Sequence, residues 1–96
     1  MYNHPVMHPA IKLRHIRAFL DIAAEGGLSA VARRQGITQP ALSRTLAELE
    51  TLLGQALFLR QGRRLVLTEQ GALFRHHAAQ ALQALEAGAA ALRPGT

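Results

Sequence analysis

The sequence predicts a mainly α-helical chain: three helices, a two-stranded hairpin, and then one long helix. Three observations predict it. Apolar residues recur at three- and four-residue spacing over residues 11–25, 42–53 and 74–92, the period of an amphipathic helix. Between the last two stretches that period gives way to two short apolar runs, Leu57-Phe58-Leu59 and Leu65-Val66-Leu67, with the length and composition of strands. Gly26-Gly27, Gly36, Gly54 and Pro94-Gly95 punctuate the helical stretches, as helix stops do. In this order the elements make a winged helix-turn-helix followed by a linker helix.

Ninety-six residues allow one domain of this kind. Hydrophobic residues make up 49% of the chain, enough for a compact core that stays small relative to its surface. With one tyrosine and three phenylalanines, Leu, Ile, Val and Ala must fill that core. The formal charge is +5, and of the eleven basic residues only Lys12 is a lysine. Arginine suits planar, forked contacts to phosphate and guanine. The same charge would also suit acidic membranes or acidic proteins. There is no cysteine, hence no disulfide framework and no thiolate metal site. No signal peptide is visible, and no apolar run is long enough to cross a bilayer. A cytoplasmic location without a membrane partner is therefore the expectation.

Residues 1–10 are expected to form a tail, because Pro5 and Pro9 oppose a regular helix. His4 and His8 are four apart, but with prolines beside both no metal site is expected. The winged domain then occupies residues 11–67. In its first helix, over 11–25, Leu13, Ile16, Phe19, Leu20 and Ala23 make the apolar face, and Lys12, Arg14 and Arg17 lie mostly off it. Ser29 is expected to cap a short second helix over 30–35. That helix turns Val31 and Ala32 inward and carries Arg33 and Arg34 near its end, where they complement the dipole. Ala32, Gly36 and Ile37 are expected to let the second and third helices approach closely.

The third helix follows a strong start signal. Thr38 is a good N-cap, and Pro40 sits in the first turn, where its missing N–H is harmless. Leu42, Leu46, Leu49 and Leu53 form one narrow apolar stripe, with Gln39, Pro40, Ser43, Arg44 and Ala47 beside it. Two readings fit. A helix that buries one side and offers Gln, Ser and Arg at its leading end suits the major groove of DNA. An ordinary amphipathic helix with its polar side in water has the same pattern. The hairpin also has two readings. Three arginines, Arg60, Arg63 and Arg64, fall within five residues at its tip, which suits a wing reaching phosphates or the minor groove. A charged loop that keeps a hairpin edge from aggregating is the plainer account.

Thr68 caps the last helix, with Glu69 in its first turn. The helical signal runs over 68–93, on the order of 35 Å at 1.5 Å per residue, and residues 94–96 close the chain. Phe74 is expected to pack on the winged domain. Ala78, Ala81, Leu82, Leu85, Gly88 and Leu92 continue the apolar spacing, beyond what a small core covers. This stripe is read as a dimerisation seam against a second copy, in preference to a helix folding back on its own domain. Adjacent His76 and His77 point in different directions and form no metal pair. The six acidic residues are scattered; there is no nucleophile–base set and no phosphate-cradling glycine loop, so neither an enzyme nor a cofactor is expected. Single-stranded RNA binding would favour exposed aromatics, whereas Phe19, Phe58 and Phe74 fall at core positions. The competing function is a helix-mediated dimerisation module without specific DNA readout. It would not require Gln39, Ser43 or the arginine tip.

The order of elements and the run Thr38-Gln39-Pro40-Ala41-Leu42-Ser43-Arg44, followed by Leu46, Leu49-Glu50, Leu53-Gly54 and Leu57-Phe58, resemble the N-terminal DNA-binding domain of LysR-type transcriptional regulators. Arg60-Gln61-Gly62-Arg63 and Leu67-Thr68-Glu69-Gln70-Gly71 fall into step, and the resemblance covers about residues 11–93. The opening Ile11-Lys12-Leu13-Arg14-His15 and the closing Arg75-His76 look most like the protocatechuate type, regulators of aromatic-acid breakdown. The resemblance implies double-stranded DNA as partner. Gln39, Pro40, Ser43 and Arg44 would meet base edges or nearby phosphates, Thr38 the phosphate backbone, and Arg60, Arg63 and Arg64 would serve the wing. It further implies an antiparallel homodimer through the long helix, an interrupted palindromic operator, and a nucleoid-associated cytoplasmic protein that meets RNA polymerase in the full-length context. Three residues depart from the pattern. Gln35 stands where leucine is usual, Gly27 where a small polar residue is common, and Leu59 where an acidic residue usually precedes the wing arginine. Arg60 is therefore expected to lack a customary ion-pair partner. The family normally carries a C-terminal effector-binding domain, so either an excised fragment or a natural stub is expected.

Overall fold

The computed structural model describes residues 7–95. Residues 1–6, with His4 of the expected tail, and Thr96 lie outside the described residues. Six elements follow in order: α1 (Leu13–Glu25), α2 (Ser29–Gln35), α3 (Gln39–Leu53), β1 (Phe58–Gln61), β2 (Arg64–Leu67) and α4 (Glu69–Ala91). The two strands pair antiparallel, with Phe58 opposite Leu67 and Gln61 opposite Arg64.

The core lies where α1, α2 and α3 meet the base of the hairpin and the first turns of α4. Phe19, Ile22, Val31, Leu42, Leu49 and Leu57 are its fully buried side chains, and each such residue contributes roughly 1.5–3 kcal/mol relative to exposure. The ring of Phe19 sits between Phe58 at 5.5 Å and Phe74 at 5.4 Å, both tilted, an arrangement aromatic quadrupoles favour. The leucine stripe of α3 points inward as its spacing predicts. The inward face of α1 is rotated by about one residue from the expected one. His15, Ala18, Phe19 and Ile22 are buried, while Leu13 is exposed. The reason is that α1 is clasped by α3 and α4 together, so its buried face lies between the two.

The turn between α2 and α3 needs a left-handed residue, and Gly36 supplies it with φ 70°. A Cβ there would meet nothing within 4 Å. Gly36 therefore serves the backbone and not the close helix approach expected of it, and Ile37 beside it is 40% exposed. Nor does Ser29 cap α2. The N-cap is Leu28, without a side-chain cap, and Ser29 opens the helix with its hydroxyl turned elsewhere. Gln35, at the position where leucine is usual, ties α2 back to α1 instead: its Nε2 donates to Asp21 Oδ2 at 2.9 Å.

Three polar clasps fix the hairpin. The Glu50 carboxylate, near the end of α3, accepts from the Leu57 N–H at 2.7 Å and the Phe58 N–H at 3.2 Å. The Leu65 N–H donates to the Gly26 carbonyl at 3.0 Å. The Thr68 hydroxyl donates to the Ala56 carbonyl at 2.7 Å and accepts from the Gly71 N–H at 2.9 Å, so one side chain caps α4 and closes the base of the wing. Gly71 permits this. A Cβ at Gly71 would collide with the Leu57 carbonyl oxygen, so α4 can pass the residue before β1 this closely only without a side chain there.

Candidate nucleic-acid interface

The leading end of α3 is bare. Thr38 caps it, its hydroxyl accepting from the Ala41 N–H at 3.1 Å, which with Pro40 in the first turn fixes where the helix begins. Leu42, Leu46 and Leu49 anchor the opposite side in the core. Gln39, Pro40, Ser43, Arg44 and Ala47 are all exposed as a result. The helix thus presents a polar end with amide, hydroxyl and guanidinium groups on a rigid support.

The wing flanks this end. Gln39, Arg60 and Arg63 line one cleft of about 200 Å³, together with Ser29 and Glu25. The Ser29 hydroxyl donates to Gln39 Oε1 at 3.1 Å, a role the expectation of a cap did not foresee. The arginine tip is shorter than the sequence suggested. Arg60 and Gln61 belong to β1 and Arg64 to β2, leaving Gly62 and Arg63 as a two-residue turn. Gly62, at φ 61°, gives the first central residue that such a hairpin turn needs. Arg64 therefore separates from the other two arginines. Arg63 stands at the tip, Arg60 lines the cleft with it, and the Arg64 guanidinium lies against Gly26 at the end of α1. Leu59, beside Arg60, is exposed and provides no charge.

The other flank joins Arg44 to two residues given no role in the sequence reading, His15 and Glu48. Lys12, Arg14, His15, Arg44 and Glu48 line a second cleft, of about 480 Å³. His15 is 2% exposed. Its Nδ1 accepts from the Lys12 N–H at 2.9 Å and its Nε2 lies 3.0 Å from Glu48 Oε1. An acceptor at Nδ1 leaves the proton of the neutral ring on Nε2, so the ring donates to Glu48. The hydrogen bond from His15 is the largest influence on the Glu48 carboxyl and holds it below its ordinary value. Partial burial works against this, and the charges of Arg14 and Arg44 reinforce it. Arg14 Nη2 itself is 3.8 Å from Glu48 Oε1. His15 was findable in principle. It falls three residues after Lys12, the spacing by which an N3 side chain reaches back to the N-cap N–H. It also shares the face of Ala18, Phe19 and Ile22.

Along α4 the expected seam residues fall into two groups. Ala78 is 4% exposed and belongs to the protomer's own core, one turn beyond Phe74 on the face that meets α1. It also lines an apolar groove at the inner end of the expected seam. Leu82 is half-buried, and Arg17 Nη1 of α1 reaches Glu86 Oε2 at 3.5 Å. Ala81, Leu82 and Leu85 line the same groove, shared with Ile11, Leu13 and Ile16. Gly88 and Leu92 lie beyond it, exposed.

Residues 13–72, well over half of the chain, match the family model of the bacterial regulatory helix-turn-helix proteins of the lysR family. The chain belongs to the LysR family. Its LysR-type domain is 39% identical over 85 residues to the transcriptional regulator YdcI of Escherichia coli K12, covering 88% of this chain and 28% of that protein. It is 35% identical over 75 residues to the regulator PcaQ of Agrobacterium fabrum, covering 78% and 24%. The chain thus spans about a quarter of the length of these curated relatives. Among solved structures, the BenM DNA-binding domain in complex with catB site 1 DNA superposes with a TM-score of 0.79 at 31% identity, covering 83% of this chain and 86% of that one. Vibrio fischeri DarR in complex with DNA gives a TM-score of 0.79 at 32% identity, covering 85% and 28%. These regulators place the four helices and the hairpin in a LysR-type winged helix-turn-helix.

Proposed function

We propose that this LysR-type chain binds double-stranded DNA sequence-specifically, as the DNA-binding portion of a transcriptional regulator. The observation that carries this reading is the exposed leading end of α3 with a wing cleft beside it that Gln39 shares with Arg60 and Arg63. An α-helix fits the major groove, where glutamine pairs with adenine and arginine with guanine. Gln39, Pro40, Ser43 and Arg44 are assigned to base edges or adjacent phosphates, Thr38 to the backbone, and Arg60 and Arg63 to phosphates or the minor groove. Arginines at these sites would displace condensed counterions, so binding weakens with salt. The DNA complexes formed by the BenM domain and by DarR support the assignment.

The chain is assigned a homodimeric state through α4, with Ala81, Leu82, Leu85, Gly88 and Leu92 at the seam. Two copies of α3 then meet an interrupted palindrome. A cytoplasmic, nucleoid-associated location and contact with RNA polymerase in the full-length context belong to the same proposal. The protocatechuate subtype is not favoured over others, because relatives as different as YdcI, PcaQ and ClcR lie at 39%, 35% and 38% identity.

Selection of bound sequences from a random duplex pool tests the reading. The parent chain is expected to enrich a symmetric, interrupted site. Gln39→Ala should relax one position in each half-site by the equivalent of about 1–3 kcal/mol, with a smaller loss on random duplex. A pool that emerges unenriched would favour a dimerisation module without DNA readout.

A further inference from the structure

The one fully buried titratable side chain of the described residues is not in the wing or at the tip of α3. It is His15 on α1, and its ring spans from the start of α1 to the flank of α3. One nitrogen caps the Lys12 N–H and the other donates to Glu48. Because the ring is held at both nitrogens and packed on all sides, it fixes the carboxylate it touches. Glu48 is itself 46% exposed and lies one turn beyond Arg44 on the same side of α3, where side chains four apart are neighbours. Arg44 and Glu48 line the same cleft. The exposed Arg44 guanidinium is long and loses rotamer freedom when it binds. Among the described residues Glu48 pairs with His15 and Arg14, and the Arg44 charge acts on its carboxyl from one turn away.

We propose that Glu48, held by the buried His15, is a positioning residue for Arg44, so that base preference in the half-site depends on a clasp between α1 and the recognition helix. The inference rests on the DNA reading proposed above. Glu48 has a second consequence by the same geometry. An acidic group at the edge of the DNA-facing surface repels phosphate. It therefore weakens binding to any duplex while sharpening the choice among duplexes. Lys12 and Arg14 face the same cleft from α1, and Arg14 competes with Arg44 for the carboxylate. Replacing Arg14 should for that reason leave Arg44 more tightly held.

The experiment compares the full chain with Glu48→Gln. Glutamine keeps an oxygen that accepts from His15 and removes the charge that Arg44 feels. Affinities are measured on the duplex the parent selects and on random duplex, and each protein is also put through the random-pool selection. The selected-to-random ratio for Glu48→Gln should fall by about fivefold or more, the low end of one good base contact, while affinity for random duplex holds or rises. Enrichment should blur at the position that Arg44→Ala also blurs. In the Arg44→Ala background, Glu48→Gln should change the ratio no further, the non-additivity expected of two groups acting through one contact. A merely structural role would lower both affinities together and would not depend on Arg44. His15→Gln, which can offer an amide N–H where Nε2 stood, should retain more of the ratio than His15→Ala. An unchanged ratio and an unchanged selected site in Glu48→Gln would overturn the proposal while leaving the DNA reading intact. A parent chain that selects no site would overturn both.

Discussion

The half of α4 that follows Thr68 and the half that follows Leu82 share an alanine-rich composition and have opposite surroundings. In the first half Gly71 is pressed against the Leu57 carbonyl, Phe74 meets the Phe19 ring, and Ala78 is in the core. In the second half Leu85 is 58% exposed and Leu92 84% exposed. The difference lies in the partner. α1 runs beside α4 only as far as its own beginning at Leu13, which lines the groove with Leu85; nothing of α1 extends alongside Gly88 and Leu92. α4 carries an apolar stripe that outruns its intramolecular partner. Its first half completes the winged domain, and its second half is the surface assigned above to a second copy.

The largest expected effect tests the first half. Phe74→Ala removes one of the two rings against Phe19 and should destabilise the chain by about 3 kcal/mol, the low end for truncating a packed aromatic. Urea titration followed by circular dichroism measures it, and a loss within about 0.5 kcal/mol, the scale of an ordinary surface substitution, would show that the first half is not part of the domain. Leu85→Glu sharpens the contrast from the other side. The side chain is exposed in the protomer, so its folding stability should stay within about 0.5 kcal/mol of the parent. Sedimentation should nevertheless show the dimer lost, because a charge would face its own copy in an apolar seam. An unchanged dimer would move the seam to a different face. The smallest effect concerns the border between the halves. Arg17→Ala removes the exposed ion pair to Glu86 and should cost no more than about 1 kcal/mol in the same titration. A larger loss would place Glu86 with the first half and shift the border toward Leu92.

Each element was legible where the signal is local. The Thr38 and Thr68 caps, the Pro40 start and the leucine stripe of α3 all stand where spacing puts them, because a cap is satisfied within three residues and a stripe repeats every turn. Exposure of Gln39, Ser43 and Arg44 followed from the same stripe. Local reading went astray where a side chain found a distant partner before a near one. Ser29 bonds Gln39 instead of capping its own helix, and Arg64 folds onto Gly26 instead of standing at the tip.

The sequence by itself determined the number, kind and order of the elements, the polar leading end of α3 and the excess of apolar surface on α4. Those properties depend on period, capping and turn chemistry, which act over a few residues. Only the tertiary structure decided that His15 clasps Glu48 across 33 positions of sequence, that Gly71 must lack a side chain, that Ala78 joins the core, and that Arg60 and Arg63 share a cleft with Gln39. Each of these is set by which helix lies beside which at a given height. That is a property of the packed whole, since the free energy of burial depends on area removed from water and not on the sequence separation of the groups that remove it.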